Sequence, residues 1–201
     1  MPKDTFFNLL EEKRNKIIKA AKVEFTANPL RKSRVSNIIK EAEIPRGSFY
    51  QYFEDLDDLY YYVIDDVFEN IHKAGTMFCE STNDIFEFAQ ISFEYDYDAF
   101  INDMRHRFMM NVTQSISSNE EYVSNFNKMR KEYVLGILNK MDLSKIRLKE
   151  EEDLIKMYQM IQNLKRTVIQ KSIIHNLDKE QAYSEFKWYV DIIKNGLLEE
   201  E

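Results

Sequence analysis

Arg46, Ser48, Tyr50 and Gln51 stand within the eleven residues EIPRGSFYQYF at positions 43–53. A guanidinium fork, a hydroxyl, a phenol and a carboxamide within two helical turns form a row of hydrogen-bonding groups. Such a row suits the edges of planar heterocycles and anionic oxygens, and offers nothing that breaks a bond. The other reactive groups are scattered. His72, His106 and His175 are far apart in sequence, with no His-x-x-x-His pair of metal-site spacing. Gly47, Gly75, Gly136 and Gly196 are too dispersed for a phosphate-cradling loop. Cys79 stands alone, which removes disulfides and Cys-pair zinc sites and reads as a small buried apolar residue. No catalytic residue, metal or cofactor is expected.

The elements that position the row are legible in the spacing of apolar residues. Ile17, Ile18, Ala21 and Phe25 recur at helical intervals, and Asn28-Pro29 ends that helix because the residue before proline is pushed out of the helical region. Ser33 is the expected cap of a second helix over about residues 34–42, with Val35, Ile38, Ile39 and Ala42 as its apolar stripe. Glu43-Ile44-Pro45 forces a turn, and proline is tolerated in the first turn of the third helix, about 45–53. Two short helices across a tight turn, after a longer one, are the parts of a helix-turn-helix. Its second helix enters the major groove of DNA. Phe49 and Phe53, four apart, share the inward face, and Tyr50 and Tyr52 are assigned to the rim. In that frame Arg46 suits guanine, Gln51 adenine and Tyr50 a phosphate, while Ser48 offers a small adaptable hydroxyl.

Charge is distributed to match. The chain has net charge −7, yet residues 1–53 hold 11 of its 28 Lys and Arg against 6 of its 35 Asp and Glu, so the front is basic and the rest acidic. Only four glycines and three prolines interrupt 201 residues, which favours an all-α fold. Beyond Asp55, amphipathic helices are expected over about 56–78, 83–101, 103–114, 119–141, 150–176 and 179–195, the last stopping at Asn195-Gly196. The expected domains are 1–55, a three-helix helix-turn-helix unit, and 56–201, a larger helical unit. No apolar run has the length of a signal peptide or membrane span, so a cytoplasmic protein without membrane contact is expected.

From about Lys13 to Leu59, a quarter of the chain, the sequence resembles the DNA-binding domain of the tetracycline-repressor (TetR) family. The resemblance runs through Ile17, Ala21, Phe25, Val35, Ile38, Ala42, the run Arg46-Gly47-Ser48-Phe49-Tyr50-Gln51-Tyr52-Phe53, and Leu59. It implies an all-helical homodimer whose N-terminal domain reads a double-stranded operator and whose C-terminal domain dimerises and encloses a small-molecule effector. It places Arg34 and Ser36 near the DNA backbone or groove edge, Gly47, Ser48, Gln51 and Tyr52 in the groove, and Tyr50 on a phosphate. Arg46 falls at a variable family position and is the first choice for base readout. The sequence departs from the family pattern at four positions. Glu43 and Pro29 stand where glycine is usual, Pro45 replaces a hydroxyl cap, and Leu56 replaces a lysine that commonly contacts phosphate. Lys13, Arg14, Arg31, Lys32 and Arg34 are the cations available in its place.

In the C-terminal part, groove reading demands two recognition helices about one DNA turn apart, hence a dimer. The resemblance implies an interface from the last two helices, where Met157, Ile161, Leu164, Val168, Phe186, Tyr189, Val190 and Ile193 are the candidates. The same residues also read as ordinary core. Tyr97, Phe100, Met104, Phe108, Met109 and Tyr158 are the candidates to line an effector pocket, against a plainer reading as core. The run EYDYD at 94–98 suits a cationic ligand, or is simply a solvated acidic face. The expected function is a ligand-responsive regulator, a repressor released from a near-palindromic operator. The alternative is a DNA-anchored interaction protein whose C-terminal domain binds a protein and no small ligand. A third reading, a helical enzyme or small-molecule carrier, would require turnover or tight ligand binding unaffected by DNA.

Overall fold

The computed structural model describes residues 1–101, 108, 111–112 and 120–198. Most of the helix expected at 103–114, with Met104 and Met109, lies outside them. In chain order the helices are α1 (Asp4–Phe7), α2 (Glu11–Ala27), a 3-10 turn (Leu30–Lys32), α3 (Val35–Glu41), α4 (Arg46–Tyr52), α5 (Leu56–Ser81), α6 (Ile85–Ile101), α7 (Glu120–Leu138), α8 (Glu151–His175) and α9 (Lys179–Leu197). The chain forms two compact units, one of Met1–Ile71 with Asp103–Val123 and one of His72–Asn102 with Ser124–Glu201. These units do not divide at 55/56. Leu59, Tyr60, Val63 and Ile64 on α5 are buried, and the first of these units includes them.

In the first unit Ile17, Ala21 and Phe25 of α2 are buried together with Ile38 of α3 and Phe49 of α4. Phe25 meets Tyr60 edge to face at 4.9 Å. Asn28 is extended before Pro29 and ends α2 as expected. The side chain of Asn111 donates to the carbonyls of Phe25 and Thr26 at 2.8 and 3.1 Å, covering the open end of that helix.

The turn after α3 is a Schellman motif. The amide of Ile44 donates to the Ile39 carbonyl at 3.0 Å and that of Glu43 to the Lys40 carbonyl at 3.3 Å. Glu43 sits at the left-handed position with φ 52°, where a side chain costs about 1 kcal/mol relative to glycine. Lys16 forms an ion pair with its carboxylate. One local expectation needs correction. Ser33 does not cap α3; its hydroxyl turns back to the carbonyls of Asn28 and Pro29 at 3.1 and 3.2 Å. Residues 4–7 form the short helix α1, which carries the buried Phe6 and has too few residues to show a period.

In the second unit α6, α8 and α9 pack around Phe88, Phe93 and Phe186, the last two stacked at 4.9 Å. α9 opens with a capping box, in which Asp178 accepts from the Gln181 amide at 2.8 Å and Gln181 accepts from the Asp178 amide at 3.1 Å. α8 ends at a second left-handed residue, Asn176, with φ 52°. α9 continues through Asn195-Gly196 to Leu197, because Gly196 keeps a helical-sign φ.

Candidate nucleic-acid interface

α4 is short because Pro45 opens it and Phe53 leaves it in extended conformation. Phe49, Tyr52 and Phe53, at i, i+3 and i+4, turn one face inward. The other face presents Arg46, Gly47, Tyr50 and Gln51 to solvent, with Ser48 at its edge. The division of the four rings is therefore corrected at Tyr52, which is 6 % exposed and belongs to the core. Its ring lies 6.3 Å from that of Phe6, and the Lys13 ammonium stands 5.8 Å from its centroid. Tyr50 is 42 % exposed, as a rim residue should be.

Arg46 and Tyr50 are already organised on one another. The guanidinium lies 5.8 Å from the ring centroid and donates to the phenol oxygen at 3.4 Å. Gly47 has no packing reason to be glycine: its φ is not positive, and among the described residues no heavy atom lies within 4 Å of where a Cβ would stand. A glycine costs helix stability, so the bare backbone here suits close approach by another surface.

The start of α3 supplies a second basic region. Arg34 and Ser36 are exposed, and Arg34 with Arg31, Lys32, Asn28, Ser33 and Asn37 lines a concave surface of about 510 Å3. Beneath it lies Glu24, a buried carboxylate on α2 that the sequence reading missed. It accepts the Arg34 amide at 2.9 Å and the Asn28 and Asn37 side chains at 3.3 and 3.0 Å. Its position in the α2 stripe, three residues after Ala21 and next to Phe25, was the available signal.

The candidates in the second unit fare differently. Met157, Ile161, Val168, Phe186 and Val190 are buried within the chain, so they are its core and not a surface open to a second copy. Leu164, Tyr189 and Ile193 are half-buried at the edge of that core. The outward residues of the same helices are Met160, Ile173 and Ile174 on α8 and Trp188 and Ile192 on α9, with Ile174 75 % and Trp188 59 % exposed. Tyr97, Phe100 and Tyr158 lie in the second unit, Tyr97 donating to the Leu177 carbonyl at 3.3 Å. Phe108 is buried and belongs to the first unit.

Tyr158 and Tyr133 share a hydrogen bond, and burial pushes the Tyr133 phenol up to about 12 and that of Tyr158 well above its ordinary value. Lys165, 4 % exposed in the core stripe of α8, pairs with Asp96 at 2.5 Å and donates to Ser92 Oγ at 3.0 Å. Asp98 pairs with Lys179 at 2.8 Å. The two aspartates of EYDYD therefore already hold lysines, which weakens the case for a cationic ligand there. Burial raises the Cys79 thiol pKa, leaving it largely protonated at neutral pH. Among the described residues no group of three or more His, Cys, Asp or Glu stands close enough to hold a metal, and no helix is long and apolar enough to cross a membrane.

A short helix with a polar outer face, held across a Schellman turn from a second helix beside a basic concavity, defines a helix-turn-helix DNA-binding protein. The family model described as bacterial regulatory proteins, tetR family, matches residues 17–63, and that described as tetracyclin repressor-like, C-terminal domain, matches residues 84–197. The chain belongs to the TetR family of transcriptional regulators. Its fold is similar to a TetR family transcriptional regulator from Chloroflexus aurantiacus J-10-FL, at 21 % identity over 100 % of both chains and a TM-score of 0.60. It is also similar to the transcriptional regulator FadR from Bacillus subtilis, solved in complex with stearoyl-CoA, at 19 % identity over 91 % of this chain and 98 % of that one, with a TM-score of 0.68. The fatty acid degradation regulator FadR from Bacillus halodurans gives 19 % identity, 94 % and 98 % coverage and a TM-score of 0.66. No curated protein gave a significant match.

Proposed function

We propose that this regulator is a repressor that binds a near-palindromic operator as a homodimer and is released by a small-molecule effector. Residues 1–55 read the DNA, and residues 56–201 carry the dimer contacts and the effector site. The observation that carries the reading is the outer face of α4, where Arg46, Tyr50 and Gln51 stand exposed beside an unobstructed Gly47. Arg46 and Gln51 make the base contacts, Ser48 adjusts at the groove edge, Tyr50 meets a phosphate, and Arg34 and Ser36 hold the backbone from α3. Dimerisation is supported by the outward apolar residues of α8 and α9, which a monomer would leave in water. Release follows if the effector binds more tightly to a dimer whose half-site spacing fits DNA poorly.

The test is selection from a randomised duplex library, followed by titration of the winning sequence over a salt series. Enrichment of a two-fold symmetric site, bound with strong salt dependence, is expected. Failure to enrich any sequence overturns the reading. Stearoyl-CoA, present in the Bacillus subtilis FadR complex, is the first effector to titrate against the bound operator.

A further inference from the structure

The C-terminal turn of α4 is closed by residues distant in sequence. An α-helix leaves its last four carbonyls without intrahelical partners. In α4 these belong to Phe49, Tyr50, Gln51 and Tyr52. The Phe49 carbonyl accepts the Phe53 amide at 2.9 Å. The other three accept from the N-terminal segment: Tyr50 from the Lys3 ammonium at 3.0 Å, Gln51 from the Thr5 hydroxyl, and Tyr52 from the Lys3 amide at 2.8 Å.

Phe6 fixes this segment in place. Its ring is fully buried, 4.8 Å from Phe53 and 5.2 Å from Tyr62. The Arg14 guanidinium donates to the Phe7 carbonyl at 3.2 Å and ties the segment to α2. The arrangement matters because α4 has only seven residues and no side-chain cap at Pro45. A helix of that length does not hold itself in water. It ends without the left-handed residue that closes α3, since Phe53 is extended. The ammonium of Lys3 also stands at the negative end of the helix dipole.

We infer that Lys3, Thr5 and Phe6 form a positioning strap for operator reading, holding the last turn of α4 so that Gln51 meets its base in a fixed register. The inference rests on the DNA reading proposed above. Thr5 bonds the carbonyl of Gln51 itself, so its effect falls on that residue more than on Arg46, one and a half turns earlier. Tolerance of base changes at the pair read by Gln51 is therefore set from outside the helix-turn-helix.

The experiment uses the full chain with Thr5→Val, Thr5→Ser and Phe6→Ala. Amide hydrogen exchange across α4 is measured first, and each variant is then carried through the duplex selection. Thr5→Val keeps the side-chain shape and removes the donor; exchange of the last-turn amides about tenfold faster is expected, with the protein's global melting little changed. Discrimination at the Gln51 base pair should relax about tenfold while that at the Arg46 pair is retained. Thr5→Ser should restore both, and Phe6→Ala should show the same pattern together with lower melting. Unchanged exchange in Thr5→Val overturns the strap. Faster exchange with discrimination intact also overturns it, reducing the segment to a helix cap. Should the wild-type chain enrich no sequence, the DNA reading fails, and the strap's part in reading fails with it; the exchange result then bears on capping alone.

Discussion

Glu24 on α2 accepts the backbone N–H of Arg34 at 2.9 Å, so the first turn of α3 is held by a carboxylate from another helix and not by its own cap. Its three hydrogen-bond partners among the described residues are all donors, and it is buried among them. Glu24→Gln replaces one acceptor with a donor facing donors. The substitution should destabilise the protein by about 1–3 kcal/mol, read from chemical denaturation, and should weaken DNA binding by loosening α3. Stability equal to wild type would show that the amide finds other partners.

Gly47→Ala should act in opposite directions on folding and on binding. The site is open and helical in φ, so alanine should stabilise the free protein by about 0.5–1 kcal/mol. The added methyl would stand between α4 and the groove floor and should lower operator affinity. A melting scan and a binding titration on one preparation check both. Improved stability with unchanged affinity would place the groove elsewhere.

The two kinds of side chain on α4 separate by the same pair of measurements. Phe49→Ala removes a fully buried ring and should cost about 3–5 kcal/mol of stability. Arg46→Ala should leave melting nearly unchanged, while costing about 1–3 kcal/mol of operator binding and relaxing preference at one base pair of each half-site. An unaltered binding profile for Arg46→Ala would remove it from the readout.

In the second unit Gly75 lets α5 lie directly under Tyr133. A Cβ there would collide with the Tyr133 hydroxyl and stand 3.0 Å from the ring carbon that bears it, while the ring itself is stacked on His72 at 4.2 Å. Gly75→Ala should destabilise by about 1–3 kcal/mol because a stacked ring has little room to move. Adding Tyr133→Phe should recover part of that loss, measured as a double-mutant cycle.

Trp188→Asp and Ile192→Asp should convert a dimer to a monomer in sedimentation experiments, with secondary structure intact, because both side chains face outward. Val190→Asp, three-fifths of a turn away and fully buried, should unfold the chain instead. A dimer that survives both outward changes would place the interface on another surface.

By itself the sequence determined the all-helical fold, the bounds of α2 at Asn28-Pro29, the turn at Glu43 and the inward pairing of Phe49 with Phe53. Each of these rests on spacing within one element or on a backbone preference of one residue, and so needs no distant partner. Tertiary structure alone decided the rest. The burial of Tyr52 beside the Phe6 ring, the hold on the start of α3 by Glu24 from another helix, and the closure of α4 by Lys3 and Thr5, some 46 to 49 residues away, all depend on distant partners. The outward face of α8 and α9 was hidden for a related reason. Both sides of these helices carry apolar residues, and periodicity marks stripes without saying which one a neighbouring helix will cover.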